Sequence, residues 1–451
     1  MYFKRQKFVV FGLSRSGVAV AEYLLKNGAK TYLYEELDSP KITENINVLV
    51  SKGCEYIPKG EIQTVARVAD VLVLSPGVPV NHPVAVECRK QGKRITGEFE
   101  LGTQYLKNPV IAITGTNGKT TTCNMVAEIL NQAHVESVLA GNIGSPITAE
   151  LENAGDKIII AEVSSFQLET VNMFTPHIAC VLNIAPDHLD RHYTMENYVF
   201  LKKRILKNLR ESEFAVLNYD DETIRTFAEN CKAKIIWFSS KEAVSGAYLE
   251  GNAVYYNGDF ICDLSLVNMT GAHSVENVLA SVAIAHVLGV DRLAISNALA
   301  NFKGVRHRNE FVKNVDGINF YNDSKGTNTA AALSAAQSMK VPTIMILGGK
   351  DKGEDYTFLF EKLKSTAVTG VVLVGESRYK MLQSASDAGY NNVTLTSNFK
   401  DAVKIAKMLA EKGGNVLLSP ATSSYDMFGS FEERGEYFCQ AVEKLDAENK
   451  E

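Results

Sequence analysis

The stretch VIAITGTNGKTTTCNMVAEIL, residues 110–130, decides how the middle of this chain folds. Residues 110–113 are apolar and predict a buried strand, a glycine-containing loop follows, and a helical pattern opens at Lys119. In such a unit the backbone N–H groups and the positive end of the helix dipole face an anion, while Thr120 can hold Mg²⁺. The stretch therefore predicts a phosphate-binding loop made of Gly115, Thr116, Asn117, Gly118, Lys119, Thr120 and Thr121.

This loop is a shortened variant of the common P-loop. The common pattern has a glycine five residues before its Gly-Lys pair, whereas this chain has Ile113 at that position and Gly115 inside the loop. The resulting TGTNGKT sequence indicates nucleotide binding but does not name a reaction.

Length and composition limit the classes of protein to which the chain can belong. At 451 residues it is too long for one core, and about 150 residues per domain suggests three domains. A net charge of −5 offers no basic field for nucleic acid or anionic lipid. The seven dispersed cysteines are typical of reduced thiols. With no signal-peptide pattern and no apolar run of membrane-spanning length, we expect a cytoplasmic protein without membrane insertion.

The N-terminal region, residues 1–98, predicts a Rossmann-like domain. Its first strand, turn and helix carry GLSRSG from Gly12, which resembles a dinucleotide fingerprint, and glutamates 35–36 end the next strand where a ribose-binding acid could lie. Ser14 replaces the glycine that lets the backbone touch a pyrophosphate, so NAD is disfavoured and another phosphate-bearing ligand is favoured. A plain turn without a ligand stays open.

Two further domains of the same α/β class follow. Residues 99–304 alternate β-rich and helical runs, including a helix over 195–209 and an Asn-Gly hairpin in VYYNGDFIC, and predict a central P-loop domain with a parallel sheet. Residues 305–451 alternate similarly, with a helix over 329–338, and predict a C-terminal Rossmann-like domain.

Two residues downstream of the phosphate loop suggest a metal site. Glu162 closes an apolar strand, and His188 follows another strand within LNIAPDHLDRH. Loops at the carboxyl ends of parallel strands are where such folds bind ligands. The carboxylate suits Mg²⁺, which prefers oxygen ligands, and the histidine could meet a second metal ion or a phosphoryl group. Read alone, each could also be an ordinary surface residue.

Seven segments, taken in order, make the chain resemble the Mur ligases of peptidoglycan synthesis. They are TGTNGKTTT, AEVSSFQLE, NIAPDHLDRH, GVRHR, YNDSKGTN, LGGKDKG and SPATSSYDMFGSFEERG. The resemblance covers essentially the whole chain, and within the family it is strongest to the ligases that add D-glutamate to UDP-N-acetylmuramoyl-L-alanine. It implies ATP and two Mg²⁺ ions, attack of the substrate carboxylate on the γ-phosphate, and attack of the D-glutamate amine on the acyl phosphate.

The resemblance also implies roles for individual residues. The catalytic residues would be Lys119, His188, Lys202 and Lys325. The ATP contacts beyond the phosphate loop would be Asn277, Arg308 and Asp323. The Mg²⁺ ligands would be Thr120, Glu162, His188 and a carbamylated Lys202. The UDP-substrate contacts would be Ser14, Arg15, Ser16, Glu35, Glu36, Gly77 and Asn142. The D-glutamate contacts would be Thr327, Lys352, Ser424 and Phe431. A monomer is implied.

Some assignments and rival functions stay open at this point. Lys203 competes with Lys202, Lys350 competes with Lys352, and residues 14 and 36–37 depart from the expected UDP-binding pattern. The rivals within the class are ligases that add L-alanine, a diamino acid or D-Ala-D-Ala, and folylpolyglutamate synthases. The rivals from other classes are a P-loop switch and an NAD oxidoreductase. The switch gives the third domain no role, and the oxidoreductase does not explain Lys119, Glu162 or His188.

The spread of the expected ATP contacts over two domains predicts domain closure. Lys119 in the central domain and Arg308 and Asp323 in the third can reach one nucleotide only if the domains close about a hinge near Gly304, and closure would protect an acyl phosphate from water. Small-angle scattering should show compaction when ATP and the acyl substrate are added. An unchanged radius of gyration would count against the hinge.

Overall fold

The structure, a computed structural model, describes residues 3–267, 272–302, 304–351 and 353–448, without the side chains of residues 190, 272–274 and 446–448. These residues form two compact units, one that ends at Phe302 and one that begins after it. The first unit contains two sheets and the second contains one, so the predicted α/β class is confirmed. The predicted domain limits at residues 98 and 304 stay predictions.

The N-terminal sheet of the first unit consists of five parallel strands. Its strands and helices are β1 Lys7–Phe11, α1 Arg15–Lys26, β2 Lys30–Tyr34, α2 Pro40–Ser51, β3 Glu55–Ile57, α3 Ile62–Val68, β4 Val71–Leu74, α4 Pro83–Lys90, β5 Arg94–Gly97 and α5 Glu98–Tyr105. The strand order is β3-β2-β1-β4-β5. Since β1 and β4 lie in the middle, with helices on both faces, their side chains are almost all buried and their sequences are continuously apolar.

The central sheet of the first unit is larger and contains the phosphate loop. Its strands and helices are β6 Val110–Thr114, α6 Lys119–Gln132, β7 Ser137–Gly141, α7 Ile147–Asn153, β8 Ile158–Glu162, α8 Ser165–Leu168, β9 Ile178–Val181, α9 Leu189–His192, α10 Met195–Lys203, β10 Phe214–Asn218, α11 Glu222–Arg225, β11 Lys234–Ser239, β12 Gly246–Glu250, β13 Ala253–Tyr256, β14 Asp259–Asp263, α12 Ala272–Val287 and α13 Arg292–Asn301.

The strand order of this sheet places the site. The order is β14-β13-β12-β11-β10-β9-β6-β8-β7, parallel except for the β12-β13-β14 hairpins at one edge. From β6 the chain first builds β7 and β8 on one side and then β9 to β14 on the other. The order therefore switches beside β6, and ligands bind at such a switch point.

Two local predictions in this sheet can be compared with the structure. The Asn-Gly hairpin between β13 and β14 is confirmed, with φ of +49° at Asn257 and +93° at Gly258, as a tight two-residue turn requires. The helix predicted over residues 195–209 is too long, because α10 ends at Lys203 and continues only as a 3₁₀ turn, Arg204–Leu206. Apolar periodicity alone does not separate these two kinds of helix.

Helix α5 ties the two sheets of the first unit together. The buried Glu100 carboxylate accepts hydrogen bonds from three consecutive backbone N–H groups of residues 172–174, at 3.0, 2.9 and 3.3 Å. Glu98 accepts from the N–H of Thr148 at 2.8 Å. Three hydrogen bonds offset the cost of burying the Glu100 carboxylate, whereas burial raises the pKa of Glu98 to about 6. Both glutamates fix α5 against loops of the central sheet.

The second unit is a six-stranded sheet with helices. Its elements are β15 Glu310–Val315, β16 Ile318–Asn322, α14 Thr329–Ser338, β17 Thr343–Leu347, α15 Thr357–Leu363, β18 Val368–Leu373, α16 Arg378–Asp387, β19 Val393–Leu395, α17 Phe399–Leu409, β20 Asn415–Leu418 and α18 Phe431–Glu448. The order is β15-β16-β20-β17-β18-β19, and only β15 is antiparallel to its neighbour. The helix predicted over residues 329–338 is confirmed. Across the described part of the chain, no helix combines the length and apolarity needed to span a bilayer.

Candidate functional site

The phosphate loop between β6 and α6 needs glycine at two positions. Gly115 has a φ of +154° and Gly118 a φ of +83°, values that favour glycine. A Cβ atom at Gly115 would lie 2.9 Å from the Cβ of Leu182, and one at Gly118 would collide with the amide oxygen of Asn277. The loop is therefore packed directly against its neighbours. Helix α6 begins at Lys119, so its first-turn N–H groups have no partner within the helix.

Asn183 holds the loop from the next strand. Its backbone oxygen accepts from the N–H of Thr116 at 2.9 Å, and its side-chain oxygen accepts from the N–H of Asn117 at 2.8 Å. Asn183 was not among the residues predicted from the sequence. Its place among the first polar residues after β9 could have indicated a role beside the loop. Asn183 fixes the first half of the loop and leaves the helix start to face a ligand.

Two lysines converge on the loop. Lys119 donates to the carbonyl oxygens of Gly115 and Thr116, both at 2.8 Å, and Lys202 donates to the same Gly115 oxygen at 2.8 Å. Lys202 is only 1% exposed, and its ammonium group lies 4.7 Å from the centre of the Tyr198 ring. Burial, followed by the nearby charge of Lys119, lowers the pKa of Lys202 well below its usual value.

Lys203, the sequence competitor of Lys202, points elsewhere. Its ammonium group donates to the backbone oxygen of Thr226 at 3.4 Å and lies over the ring of Phe227. Successive residues on a helix face directions about 100° apart, so only one of the two can reach the phosphate loop. The geometry favours Lys202.

Thr120 and Glu162 form the oxygen pair expected for a metal site. The Thr120 hydroxyl donates to one Glu162 oxygen at 2.7 Å, and the Asn142 amide donates to the other at 2.7 Å. Glu162 ends β8 and is buried beside β6. Within the described residues no three His, Cys, Asp or Glu side chains are placed so that they alone could hold a metal ion. The site nevertheless fits Mg²⁺, which keeps waters and phosphate oxygens and needs only one or two protein ligands.

His188 lies immediately before the one-turn helix α9 and is its N-cap residue. It has a left-handed φ of +52°, its ring centre lies 4.8 Å from that of Phe166, and its Nε2 is 3.5 Å from an Asp187 oxygen. Its side chain is 46% exposed, so it can reach a ligand that arrives from solvent. His192, at the end of α9, is buried instead and shares a hydrogen bond with the Ser165 hydroxyl at 2.9 Å.

Asn277, an expected adenine contact, lies behind the loop. It is 4% exposed, and its side-chain oxygen accepts from the Thr122 hydroxyl at 3.2 Å, beside Gly118. In this structure it supports the loop. Thr121, the last loop residue expected to contact ATP, is also buried.

The residues expected to bind the UDP group divide into exposed and buried ones. Ser14, which precedes α1, and Arg15 are exposed, Ser16 is partly exposed, and Gly77 is exposed in the loop after β4. The guanidinium of Arg15 donates to the Asn142 carbonyl at 3.4 Å, which brings the start of α1 to the edge of the metal site. This group faces solvent and can meet a ligand.

The two glutamates after β2 have internal partners. Glu35 is 4% exposed, and its carboxylate accepts from the N–H groups of Leu13, Glu36 and Leu37 at 2.7, 2.8 and 2.9 Å. Glu36 accepts from the Tyr34 hydroxyl at 2.6 Å and lies 3.3 Å from His82. Glu35 thus shapes the loop, and only its less buried neighbour Glu36 is placed like a ligand contact.

The second unit gathers the expected ATP contacts Arg308 and Asp323. Asp323 accepts from the Ser419 hydroxyl at 2.6 Å and from the N–H of Asn309 at 3.2 Å. Burial raises its pKa to about 6, although these hydrogen bonds and the charge of Arg308 oppose the rise. A carboxyl at this position is close to its neutral form under mildly acidic conditions.

Of the expected D-glutamate contacts, Thr327 and Ser424 lie on loops of the same unit and Phe431 begins α18. Lys325 lies 5.7 Å from the Phe431 ring centre, and its backbone N–H donates to His307. The N–H of Thr327 donates to the Lys325 carbonyl at 2.9 Å, and Ser424 is 2% exposed. Lys352 lies outside the described residues. Its competitor Lys350 pairs with Glu376 at 2.6 Å.

Arg434 connects these loops and was missed by the sequence analysis. It is fully buried and donates to Ser324 through Nε and Nη2, at 3.0 and 2.9 Å. The other bonds of its guanidinium go to the carbonyl oxygens of Thr422 and Ser423 at 3.1 and 3.2 Å. An arginine in a helix normally lies at the surface, so nothing in the local sequence predicts this role.

Comparison with known protein families supports one origin for all these parts. Residues 6–97 match the "Mur ligase MurD-like, N-terminal domain" model, residues 113–285 the "Mur ligase middle domain" model and residues 307–422 the "Mur ligase, glutamate ligase domain" model. The chain belongs to the Mur ligase family. This assignment replaces the P-loop switch and the NAD oxidoreductase as explanations of the sequence.

Individual relatives of this Mur ligase match over the full length. The UDP-N-acetylmuramoylalanine–D-glutamate ligases of Pelotomaculum thermopropionicum and a Thermoanaerobacter species are 42% and 39% identical, over 98% and 99% of this chain and 98% and 100% of theirs. Among solved structures, the UDP-N-acetylmuramate-alanine ligase of Thermotoga maritima has a TM-score of 0.61 at 19% identity, covering 97% of this chain and 99% of that one. The MurF ligase of the same organism has a TM-score of 0.60 at 16% identity, with both chains fully covered. At identities of 19% and 16%, these two comparisons show a shared fold and nothing more.

The raised pKa of Asp323 gives stability a definite pH dependence. Because folded Asp323 holds its proton up to about pH 6 and the unfolded group only to 3.8, the unfolding free energy should fall as the pH rises through that window. A shift of about 2 units corresponds to about 3 kcal/mol. Asp323→Asn should remove this part of the slope when urea unfolding is followed across the window. Identical slopes in both proteins would contradict the assignment.

Proposed function

We propose that this Mur ligase adds D-glutamate to UDP-N-acetylmuramoyl-L-alanine, with conversion of ATP to ADP and phosphate, a step of peptidoglycan synthesis. The observation that carries the proposal is the identity of 42% and 39%, over essentially the whole chain, to ligases named for that reaction. The match of residues 6–97 to a MurD-like N-terminal model also supports it.

The reaction joins a carboxylate to an amine in two steps. An oxygen of the substrate carboxylate attacks the γ-phosphorus of ATP, and the bond from that phosphorus to the β-phosphate oxygen breaks. The uncharged amine of D-glutamate then attacks the acyl carbon, a proton leaves the nitrogen, and the bond to phosphate breaks. Negative charge collects on the phosphoryl oxygens in the first step, and catalysis depends on groups already positioned to neutralise it.

The residues of the phosphate loop are suited to that task. We assign the ATP phosphates to the helix start at Lys119, where backbone N–H groups and the lysine charge face one anion. Thr120 and Glu162 would hold Mg²⁺, which neutralises phosphate charge when bound. We also assign Arg308 and Asp323 to ATP binding and Lys325 to the reacting groups.

Lys202 is our candidate for a carbamylated lysine. Burial and the charge of Lys119 lower its pKa, which favours the uncharged amine, the form that attacks CO₂. The ammonium group first loses one proton to give the amine, and addition of CO₂ to that nitrogen with loss of a second proton gives the carbamate. A buried cation is thereby turned into an anion. The anion would remove the repulsion with Lys119 and, with His188, provide oxygen and nitrogen ligands for a second Mg²⁺.

The outer domains would bind the two substrates. We assign the UDP group to the solvent-facing residues Ser14, Arg15, Ser16 and Gly77, with Glu36 at the rim, and we assign Glu35 to holding that loop in shape. We assign D-glutamate to the loops that carry Thr327, Ser424 and Phe431, together with Lys352. A monomer in the cytoplasm is the expected form, and sedimentation of the purified chain would test the monomer.

Amino-acid selectivity tests the proposed function directly. Phosphate release with ATP, Mg²⁺ and UDP-N-acetylmuramoyl-L-alanine should require D-glutamate, because a small dicarboxylate fits a pocket of lysine, threonine and serine. L-glutamate, L-alanine and a diamino acid are the matched alternatives. Turnover with one of them and none with D-glutamate would refute the proposal.

The carbamate can be tested by comparing two adjacent lysines. Lys202→Ala should lower turnover by at least about a hundredfold, because it removes a charge next to the transferring phosphoryl group, and added acetate or bicarbonate should restore part of the activity. Lys203→Ala, whose side chain lies against Thr226, should stay near wild type. With ¹³C-labelled CO₂, the wild-type protein should show a carbamate carbon signal that Lys202→Ala lacks. Equal signals, or equal turnover in both variants, would dispose of the assignment.

A further inference from the structure

Arg191 joins a loop of the N-terminal sheet to a loop of the central sheet. It lies on the one-turn helix α9, three residues after His188. Its Nη1 donates to the carbonyl oxygen of Gly77 at 3.2 Å, and its Nη2 donates to that of Val78 at 3.1 Å. One guanidinium therefore holds two successive peptide groups of the loop that follows β4.

The guanidinium is itself held in place. Its Nε and Nη2 donate to the two oxygens of Glu169 at 3.0 and 2.6 Å, and the two side chains are only 14% and 7% exposed. A planar guanidinium that donates two hydrogen bonds to one carboxylate has little freedom to rotate. The direction in which Arg191 points at Gly77 and Val78 is thus set by the central sheet.

The same guanidinium contacts the surroundings of His188. It lies 5.1 Å from the centre of the Phe166 ring, and that ring also contacts His188 and His192, at 4.8 and 5.3 Å between ring centres. Val78, Phe166 and Glu169 also line one narrow cavity between the two sheets. Arg191 is packed between the expected UDP-binding loop and the expected phosphoryl-transfer histidine.

We propose that Arg191 is a positioning residue that holds the Gly77–Val78 loop in its ligand-binding form and in register with His188. The proposal rests on the proposed function in one respect, that the ligand of this loop is a uridine nucleotide. A loop whose carbonyl groups are already fixed loses less conformational entropy when a ligand binds to it. Without Arg191 the loop would have to be ordered by the nucleotide itself, and binding would weaken.

The lysine variant isolates the geometry from the charge. Arg191→Lys keeps a cation beside Glu169 but cannot reach both Glu169 oxygens and both carbonyl oxygens, because its single ammonium group has no fork. The matched control is Arg89→Lys. Arg89 donates to another carbonyl oxygen of the same loop, that of Val80, at 3.2 Å, but it does so from α4 of the N-terminal sheet itself.

Binding of UDP alone, followed by calorimetry on the full chain, tests the proposal. Arg191→Lys should raise the Kd of UDP by about tenfold, equivalent to about 1.4 kcal/mol, and Arg89→Lys should change it by less than about twofold. In the ligase assay Arg191→Lys should raise the KM for the UDP-substrate by about the same factor and leave the KM for ATP within about twofold. A role confined to folding would lower kcat through a smaller active fraction and leave both KM values and the Kd unchanged.

Three results would overturn the proposal. They are an unchanged Kd for UDP in Arg191→Lys, an equal loss in Arg89→Lys, and a parallel rise in the KM for ATP. If Arg191→Lys fails to fold, Tyr193→Phe replaces it. That change removes only the hydroxyl group that accepts from Asn81 at 3.0 Å between the same two loops, and it should also weaken UDP binding. UDP binding can be measured whichever amino acid the enzyme uses, so failure of the D-glutamate assignment would be seen separately.

Discussion

Two ammonium groups converge on one carbonyl oxygen, that of Gly115, and the candidate site depends on that arrangement. Lys119 and Lys202 both donate to it at 2.8 Å, in a place where Lys202 has almost no contact with water. Two ammonium groups that bond to the same oxygen repel each other strongly in a buried setting. Burial therefore lowers the pKa of Lys202, and the charge of Lys119 lowers it further. Such a site favours anions, and either a nucleotide phosphate or a carbamate on Lys202 would reduce the repulsion between the two ammonium groups.

The topology of the central sheet brings the partners of these lysines together. Strand β6 lies between β8 and β9, so Glu162 at the end of β8 and Asn183 just after β9 flank the loop that follows β6. Residues separated by more than 60 positions in the sequence thus meet at one edge of one sheet. The parallel arrangement makes this unavoidable, because all three strands end on the same side.

Several buried or partly buried charged side chains among the described residues hold backbone loops. Glu35 and Glu100 each accept from three N–H groups, Arg191 donates to two carbonyl oxygens besides its carboxylate, and Arg434 donates to three. Burying a charge is costly unless it is fully hydrogen-bonded, and loops of irregular backbone offer many unpaired groups to bond with. The result is a set of loops fixed in shape before any ligand arrives.

The sequence by itself determined the α/β class, the phosphate loop at Lys119 and the family, because these depend on short-range apolar patterns and on motifs read in order. The sequence also predicted that Glu162 closes one strand and that His188 follows another, and the family resemblance singled out Asp323. Only the tertiary structure separated Lys202 from Lys203, turned Glu35 and Asn277 into supports for loops, and revealed Asn183, Arg191 and Arg434. These roles depend on which backbone groups lie within hydrogen-bonding distance in the folded protein. The sequence does not show this, because adjacent residues of the same type can have different contacts.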